Sequence, residues 1–325
     1  MKAGRVFRVL VAAGLTAYLL WRSDPSAVLQ ASTRADLTWL LASVVLVLVD
    51  RSLMADRWIR LLCIVEPKNQ PPLKRLLEIF FVSTFVGTFL PSSIGGDAVR
   101  AYSLSREGVG GPDAVATVFM DRMLGVASLL LMSVAGLAVA RDLASNGVVL
   151  VSLALTATVS LVTMLLIFSE RMGVWLVRVA SAVPIDAVRR AGGGVIESVR
   201  RYAHHHVALL VVLASSVGVQ MLRVVQAYCL GRALGIDAGL SVYFAFIPLI
   251  LLVMLLPVTI NGLGTGQAAF VWFFARAGVE SAPAFALSIL FVLALQLVGN
   301  LPGAVIYAFK PSFAAAPIGR EGPLR

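Results

Sequence analysis

Apolar runs of bilayer-crossing length recur along this chain, and two of them end on a break that a membrane helix does not ordinarily tolerate. Leu76 to Leu90 is nearly uninterrupted apolar sequence, and it stops on LPSSIGGDAVR, which brings Pro91, Gly95, Gly96, Asp97 and Arg100 together. The same punctuation returns at Leu256 to Phe270 as LPVTINGLGTGQAAF, with Pro91, Ile94 and Gly96 answered by Pro257, Ile260 and Gly262. Backbone that leaves the helical ladder at membrane depth persists only where protein covers it or where it lines a wet cavity. Each break is therefore a candidate site.

Composition places both breaks in a membrane. Hydrophobic residues make up 59% of the 325 and charged residues 14%, with mean hydropathy +0.91, against about 25% charged in a soluble domain. The expected fold is all-α: a polytopic membrane helical bundle of about six full spans plus two re-entrant hairpins. Cys63 and Cys229 lie far apart in or beside apolar segments, which suggests neither a disulfide framework nor a thiolate metal site. A net charge of +10 without a basic block and interleaved aromatics excludes nucleic acid as the expected partner. That surplus fits cytoplasmic loops and anionic lipid headgroups instead.

Candidate spans, set against the roughly 20 apolar residues a bilayer needs, fall near Val6 to Trp21, Leu37 to Val49, Leu76 to Leu90, Ala114 to Ala140, Val148 to Phe168, Val207 to Leu230, Leu240 to Leu256 and Ala282 to Phe309. The first follows Lys2, Arg5 and Arg8 like a signal peptide, but no small-x-small cleavage site follows, so it reads as an uncleaved helix. The second is short and is extendable past Asp50 and Arg51 to Trp58. Residues 170–202 carry helically spaced apolar positions with Arg189, Arg190, Arg200 and Arg201, a pattern of amphipathic helices lying on the membrane surface. Residues 1–310 read as one integral membrane domain and 311–325 as an unstructured tail.

Loop charges orient the chain. Lys and Arg number three in the N-terminus, six in 50–75, two in 97–113, six in 169–206 and three from Lys310 onward, but only two in 22–36 and one each in 141–147, 231–239 and 276–281. Placing the first group in the cytoplasm gives 20 against 5, a strong positive-inside bias, with Arg122 and Arg223 left inside spans. The segment between 75 and 97 must then enter and leave on one side, and the segment between 239 and 276 on the other. The hairpins expected near 76–96 and 240–275 are thus oppositely inserted, the signature of an inverted repeat with a substrate site between its halves. Gly108-Val109 recurs at Gly278-Val279, and Pro112 has a counterpart in Pro283.

Several residues could carry chemistry. Asp97 reads as the N-cap of a short helix whose amides at Gly95 and Gly96 face an anion, with Arg100 oriented by Asp97 for headgroup contact. In the second hairpin Asn261, Gly262 and Gly264 offer a neutral polar group and bare backbone. A charge at the bilayer centre costs about 2.5 to 3.5 kcal/mol on insertion scales, so Asp121, Arg122 and Arg223 should face a cavity or a partner. Asp121 with Arg122, or Asp121 with Arg223, are the structural pairings to weigh against a headgroup role. Gln220, Arg223 and Gln226 share a helical face and suggest a polar lining, whereas Gln296 and Asn300 suit interhelical hydrogen bonding. His204, His205 and His206 are consecutive and lack metal-ligand spacing. Neither a P-loop nor a Ser-His-Asp or Cys-His arrangement is present, so no cofactor, metal or catalytic residue is expected.

The motifs F-x-x-x-F-x-G-x-x-L-P-S-S-I-G-G-D-x-x-R at Phe81 to Arg100, D-R-M-L-G at Asp121 to Gly125 and L-P-x-x-I-N-G-L-G at Leu256 to Gly264 resemble the lysylphosphatidylglycerol synthase transmembrane-domain family, also called the flippase-like domain family. The resemblance implies a membrane domain moving lipid between leaflets of the bacterial plasma (inner) membrane, here as a stand-alone member without the soluble synthase domain. Members tied to hopanoid and glycolipid traffic leave the lipid open. The implied function is a lipid transporter with Arg100, Arg122 and Arg223 neutralising a phosphate. A membrane-embedded enzyme using Asp97, Asp113 or Asp121 as base, and a scaffold recruiting a separate lipid synthase, are the alternatives. Both termini are expected in the cytoplasm.

Overall fold

The structure, a computed structural model, describes residues 35–67, 70–89, 93–139, 186–255 and 265–310, with isolated helical positions between 147 and 158. The expected spans near Val6 to Trp21 and Val148 to Phe168, the segment 170–185 and the tail 311–325 lie outside the described residues.

The described residues are helices and the turns that join them, with no strand among them. Four long apolar helices have the length and composition to cross a bilayer: α1 (Leu37–Val65), α4 (Gly111–Val139), α6 (His206–Ala233) and the stretch Ser281–Phe309. The last consists of α9 (Ser281–Leu297), a 3-10 turn (Val298–Asn300) and α10 (Leu301–Phe309). Between the long helices lie two pairs of shorter ones, α2 (Leu73–Gly87) with α3 (Ser93–Ser105), and α7 (Leu240–Leu255) with α8 (Thr265–Ala275). An amphipathic helix, α5 (Asp186–Arg201), precedes α6. The chain is a multi-pass membrane protein built as a helical bundle.

The first span is longer than its apolar run suggested. Asp36 caps α1, its carboxylate accepting from the Thr38 amide at 2.8 Å, and the helix then continues without a break through Asp50, Arg51 and Arg57 to Val65. These three charges therefore belong to a span and not to a cytoplasmic loop. What permits this is α6, which packs antiparallel along the whole of α1. The Asp36 amide donates to the Ala233 carbonyl at 3.1 Å at one end, and the Tyr202 hydroxyl just before α6 donates to the Leu61 carbonyl at 3.1 Å at the other. Between them Trp39 meets Tyr228, Asp50 meets Arg223 and Arg57 meets Ser216.

The short helices form two antiparallel hairpins. In α2–α3, Arg75 pairs with Glu107 at 2.7 Å near the open end, and Gly87 meets Gly96 near the tip. A Cβ on Gly87 would lie 2.6 Å from the Gly96 Cα, so only two glycines let these backbones cross so closely. In α7–α8, Tyr243 and Phe246 meet Phe274 edge-on at the open end, and Met254 lies against Gly266 near the tip.

The two hairpins open toward opposite ends of the bundle. Glu107, Asp113, Arg201, Val65, Glu78 and Lys310 gather at one end through the Arg201–Asp113 and Lys310–Glu78 ion pairs and the Arg201 bond to the Val65 carbonyl. Gly231, Tyr243, Phe274 and Ala233 gather at the other. Each hairpin leads into a long span through a left-handed glycine, Gly108 (φ 94) and Gly278 (φ 76), which is what the repeated Gly-Val pair encodes. The first helix of each hairpin also docks on the last span of the other half across a glycine. Gly303 admits the Phe81 backbone of α2, and Gly136 admits the Ala245 backbone of α7. Two sequential units, α1 to α4 and α6 to α10, thus pack about each other antiparallel and reciprocally.

Candidate functional site

The apolar core is divided in two, and the division locates the site. One cluster centres on Trp58, Phe80, Leu104 and Val212, and the other on Met132, Val224, Tyr243 and Phe270. Between them, and at the inner edge of the first, α1, α3, α4 and α6 contribute charged side chains from within their helices. Asp121 and Arg122 lie ten and eleven residues beyond Gly111, about 15 Å along a 29-residue helix.

Asp121 is 2% exposed and serves two guanidinium groups. Arg57 Nε donates to its Oδ1 at 2.6 Å, and Arg100 Nη1 lies 3.6 Å from its Oδ2. Arg57 Nη1 also donates to the Ser216 hydroxyl at 3.1 Å. Arg100 donates to the Ser83 and Thr84 hydroxyls at 3.2 and 3.3 Å and lies over the rings of Phe80 and Trp58, 4.4 and 5.4 Å from their centroids. Aromatic faces attract a desolvated cation, so α2 and α1 hold Arg100 on every side. Arg100 is 4% exposed and is a held residue in this conformation, not an open headgroup contact.

Arg122 takes the open position. It binds Asp97 bidentately, Nε to Oδ2 at 2.7 Å and Nη2 to Oδ1 at 2.8 Å, while its side chain remains 53% exposed. Asp97 is accordingly not an N-cap, because α3 already begins at Ser93, and it orients Arg122, not Arg100. Gly95 and Gly96 fall inside α3, with Gly96 buried against Gly87, so the Gly96 position is occupied by packing, not by an anion. Asp121 and Arg122 point to different partners because successive helical residues do not share a face.

A third group completes the layer. Arg223 pairs with Asp50 at 3.1 Å, not with Asp121. Arg51 donates to the Leu295 carbonyl at 2.8 Å and packs against Gly299. Gln220 and Gln226 are buried in the helix interfaces, Gln220 at 3.5 Å from the Ser128 hydroxyl, so they are interface groups and not an exposed lining. Asn300 donates to the Gln296 carbonyl and to the Thr88 hydroxyl at 2.8 Å, the interhelical role expected of it. The electrostatic neighbourhoods overlap. Arg100 and Arg122 each act on the other side's carboxylates, and Arg51 experiences both Arg223 and Arg122. Arg100, Arg122 and Arg223 therefore belong to one charged layer.

The family model for the lysylphosphatidylglycerol synthase TM region matches residues 5–303 of this sequence. The chain belongs to that family. No curated protein matches the chain. Membership in the lysylphosphatidylglycerol synthase TM region family agrees with a lipid-related role in the membrane, and the layer of arginines and aspartates described above lies within the matched region.

Asn261, Gly262 and Gly264 lie outside the described residues, as do Leu90, Pro91 and Ser92 of the first hairpin tip. Among the described residues no group of three or more His, Cys, Asp and Glu could hold a metal ion. The sequence reading missed Arg57, Asp50 and Arg51 as site residues because it placed them in a loop. The signal available was spacing: Asp50 and Arg57 are seven residues apart, two helical turns, and so share the α1 face that meets α4 and α6.

Proposed function

We propose that this protein moves a lipid between leaflets, with the headgroup held at the charged layer between the two hairpins. The observation that carries the reading is a layer of arginines and aspartates, most of them buried, held within apolar helices between units packed antiparallel. Inverted repeats with a site near the midplane are the architecture of alternating-access transporters. At 1.5 Å per residue α2, α3, α7 and α8 reach only about 16 to 24 Å, too short to cross a bilayer of about 30 Å. This supports reading each pair as a re-entrant hairpin, one from each side. The end bearing Arg60, Lys74, Arg75, Arg106, Arg200, Arg201 and Lys310 is the more basic, against Arg232 and Arg276 at the other, which supports a cytoplasmic assignment for the first. The C-terminus then lies in the cytoplasm of a plasma (inner) membrane, and anionic lipids are the partners.

Charge-paired arginines suit transport better than chemistry. Asp121 accepts from Arg57 beside Arg100, and Asp97 accepts both bonds of Arg122, so neither carboxylate is placed as a free base. The test is purified protein in vesicles containing fluorescent phospholipid in both leaflets, with outer-leaflet quenching over time. Quenching beyond half of the signal is expected, with Arg122→Gln slowing it at least tenfold and the recovered lipid chemically unchanged. Quenching that halts at half overturns transport, and a chemically altered lipid transfers the role to an enzyme.

A further inference from the structure

The charged layer does not balance. Arg51, Arg57, Arg100, Arg122 and Arg223 enter it, and the carboxylates acting on them are Asp50, Asp97 and Asp121. Among the described residues the layer carries two uncompensated positive charges, and a charge held within apolar spans costs kilocalories. The surplus is also distributed. The Asp121 group has two arginines to one carboxylate, the Asp50 group likewise has Arg51 and Arg223, and the neutral Arg122–Asp97 pair lies within electrostatic reach of both.

Two donors point to where the missing charge would sit. Arg51 Nε is buried and has no hydrogen-bond partner. Arg122 gives its Nε and Nη2 to Asp97, and its Nη1 makes no hydrogen bond to any described residue although the side chain is the most exposed of the five. A guanidinium that offers one edge to a carboxylate retains a second edge for a phosphate. Asp97 then fixes the plane of Arg122 without blocking it.

We infer that the headgroup taken here is a doubly charged phosphate, a phosphate monoester or diphosphate on a lipid, received by the open edge of Arg122, with the surplus charge of the Asp121 and Asp50 groups supplying the balance. A phosphodiester carrying one charge would leave the layer at +1, and a headgroup that adds a cation would leave it at +2 or more. The inference rests on the transport reading only for the lipid tail, since the charge balance holds for any phosphate of this class.

The experiment is binding by the purified full chain in detergent, with short-chain phosphatidic acid, phosphatidylglycerol and phosphatidylcholine as probes and inorganic phosphate at equal concentration. Phosphatidic acid should bind at least tenfold more tightly than phosphatidylglycerol, and phosphatidylcholine and inorganic phosphate more weakly still. Arg122→Gln and Arg51→Gln should each lose at least tenfold for phosphatidic acid. Asp97→Asn raises the surplus to three while its amide oxygen still accepts from Arg122, and so should bind phosphatidic acid as tightly as the natural protein or more so. That outcome separates charge balance from a structural role, under which losing the Asp97 bridge weakens binding. Equal affinity for phosphatidic acid and phosphatidylglycerol overturns the inference. Inorganic phosphate binding as tightly as phosphatidic acid replaces the lipid with a soluble ion. If vesicles move phosphatidylglycerol as fast as phosphatidic acid, transport stands and the selectivity falls. If phosphatidic acid binds selectively and no lipid crosses, the selectivity stands and transport falls.

Discussion

Asp121 holds two guanidinium groups apart and together at once. Removing its charge leaves Arg57 and Arg100, both almost wholly buried, facing each other without a carboxylate, whereas removing Arg57 leaves Asp121 still served by Arg100. Breaking a buried pair from one side costs about 3 to 5 kcal/mol in measured cases. Asp121→Asn should therefore lower stability by about 3 kcal/mol and Arg57→Gln by clearly less, measured as thermal unfolding of the detergent-solubilised protein. Asp97→Asn, at a half-exposed pair, should cost under about 1 kcal/mol; equal losses for all three would mean that Asp121 is not the shared carboxylate. The sequence made the charged residues conspicuous, because Asp121, Arg122 and Arg223 interrupt apolar runs. It could not make their partners so. Which carboxylate meets which arginine depends on the antiparallel register of α1 against α6, and that register brings Asp50, not Asp121, opposite Arg223.

Elements were legible where local chemistry decides them and not where a neighbour does. The long apolar helices α4, α6 and Ser281–Phe309 lie where their composition predicts, and the recurring glycines behind both hairpins share a left-handed backbone that their recurrence alone did not announce. The α1 run was read to Val49 with an extension to Trp58 left open, because a charge pair normally ends a span, and the helix continues to Val65. Here the pair is offset by Arg223 and the Leu295 carbonyl from helices distant in sequence. The α3 start was misread because Asp after two glycines is the usual cap, yet the hairpin needs those glycines inside the helix. That need is testable. An alanine Cβ at Gly96 would lie 2.9 Å from both the Gly87 Cα and the Ser83 carbonyl. Overpacking of this kind costs about 1 to 3 kcal/mol, so Gly96→Ala should unfold earlier. Gly192→Ala, in α5 with nothing within 4 Å, should be neutral or stabilise by up to about 1 kcal/mol. Equal tolerance at the two positions would mean that the hairpin tip does not require close backbone contact.

At the scale of the molecule, reciprocity between the two units explains why neither hairpin is independent. The α2 helix leans on Gly303 of the last span and α7 on Gly136 of α4, so each unit completes its packing only on the other. On the proposed transport, a lipid tail needs an open flank, and a headgroup crossing the layer needs the contacts of one hairpin to loosen while those of the other hold. Reciprocal packing supplies two alternative sets of such contacts, one at each end. The requirement is that the hairpins open to opposite compartments, and it can be measured directly. Cys63 and Cys229 are free and can be replaced by serine. Single cysteines are then introduced at Arg106, just past the first hairpin, and at Arg276, just past the second, both exposed. A membrane-impermeant maleimide applied to right-side-out cells should label Arg276→Cys and spare Arg106→Cys until the membrane is permeabilised. A third cysteine at Asp237, whose side chain is 99% exposed beside Arg232, should follow Arg276→Cys, since both belong to the end where α6 finishes. Labelling of 106 and 276 from the same face would place both hairpins on one side. The antiparallel units would then be an intramembrane packing device without alternating access, and the charged layer a structural core without a path to it from both leaflets.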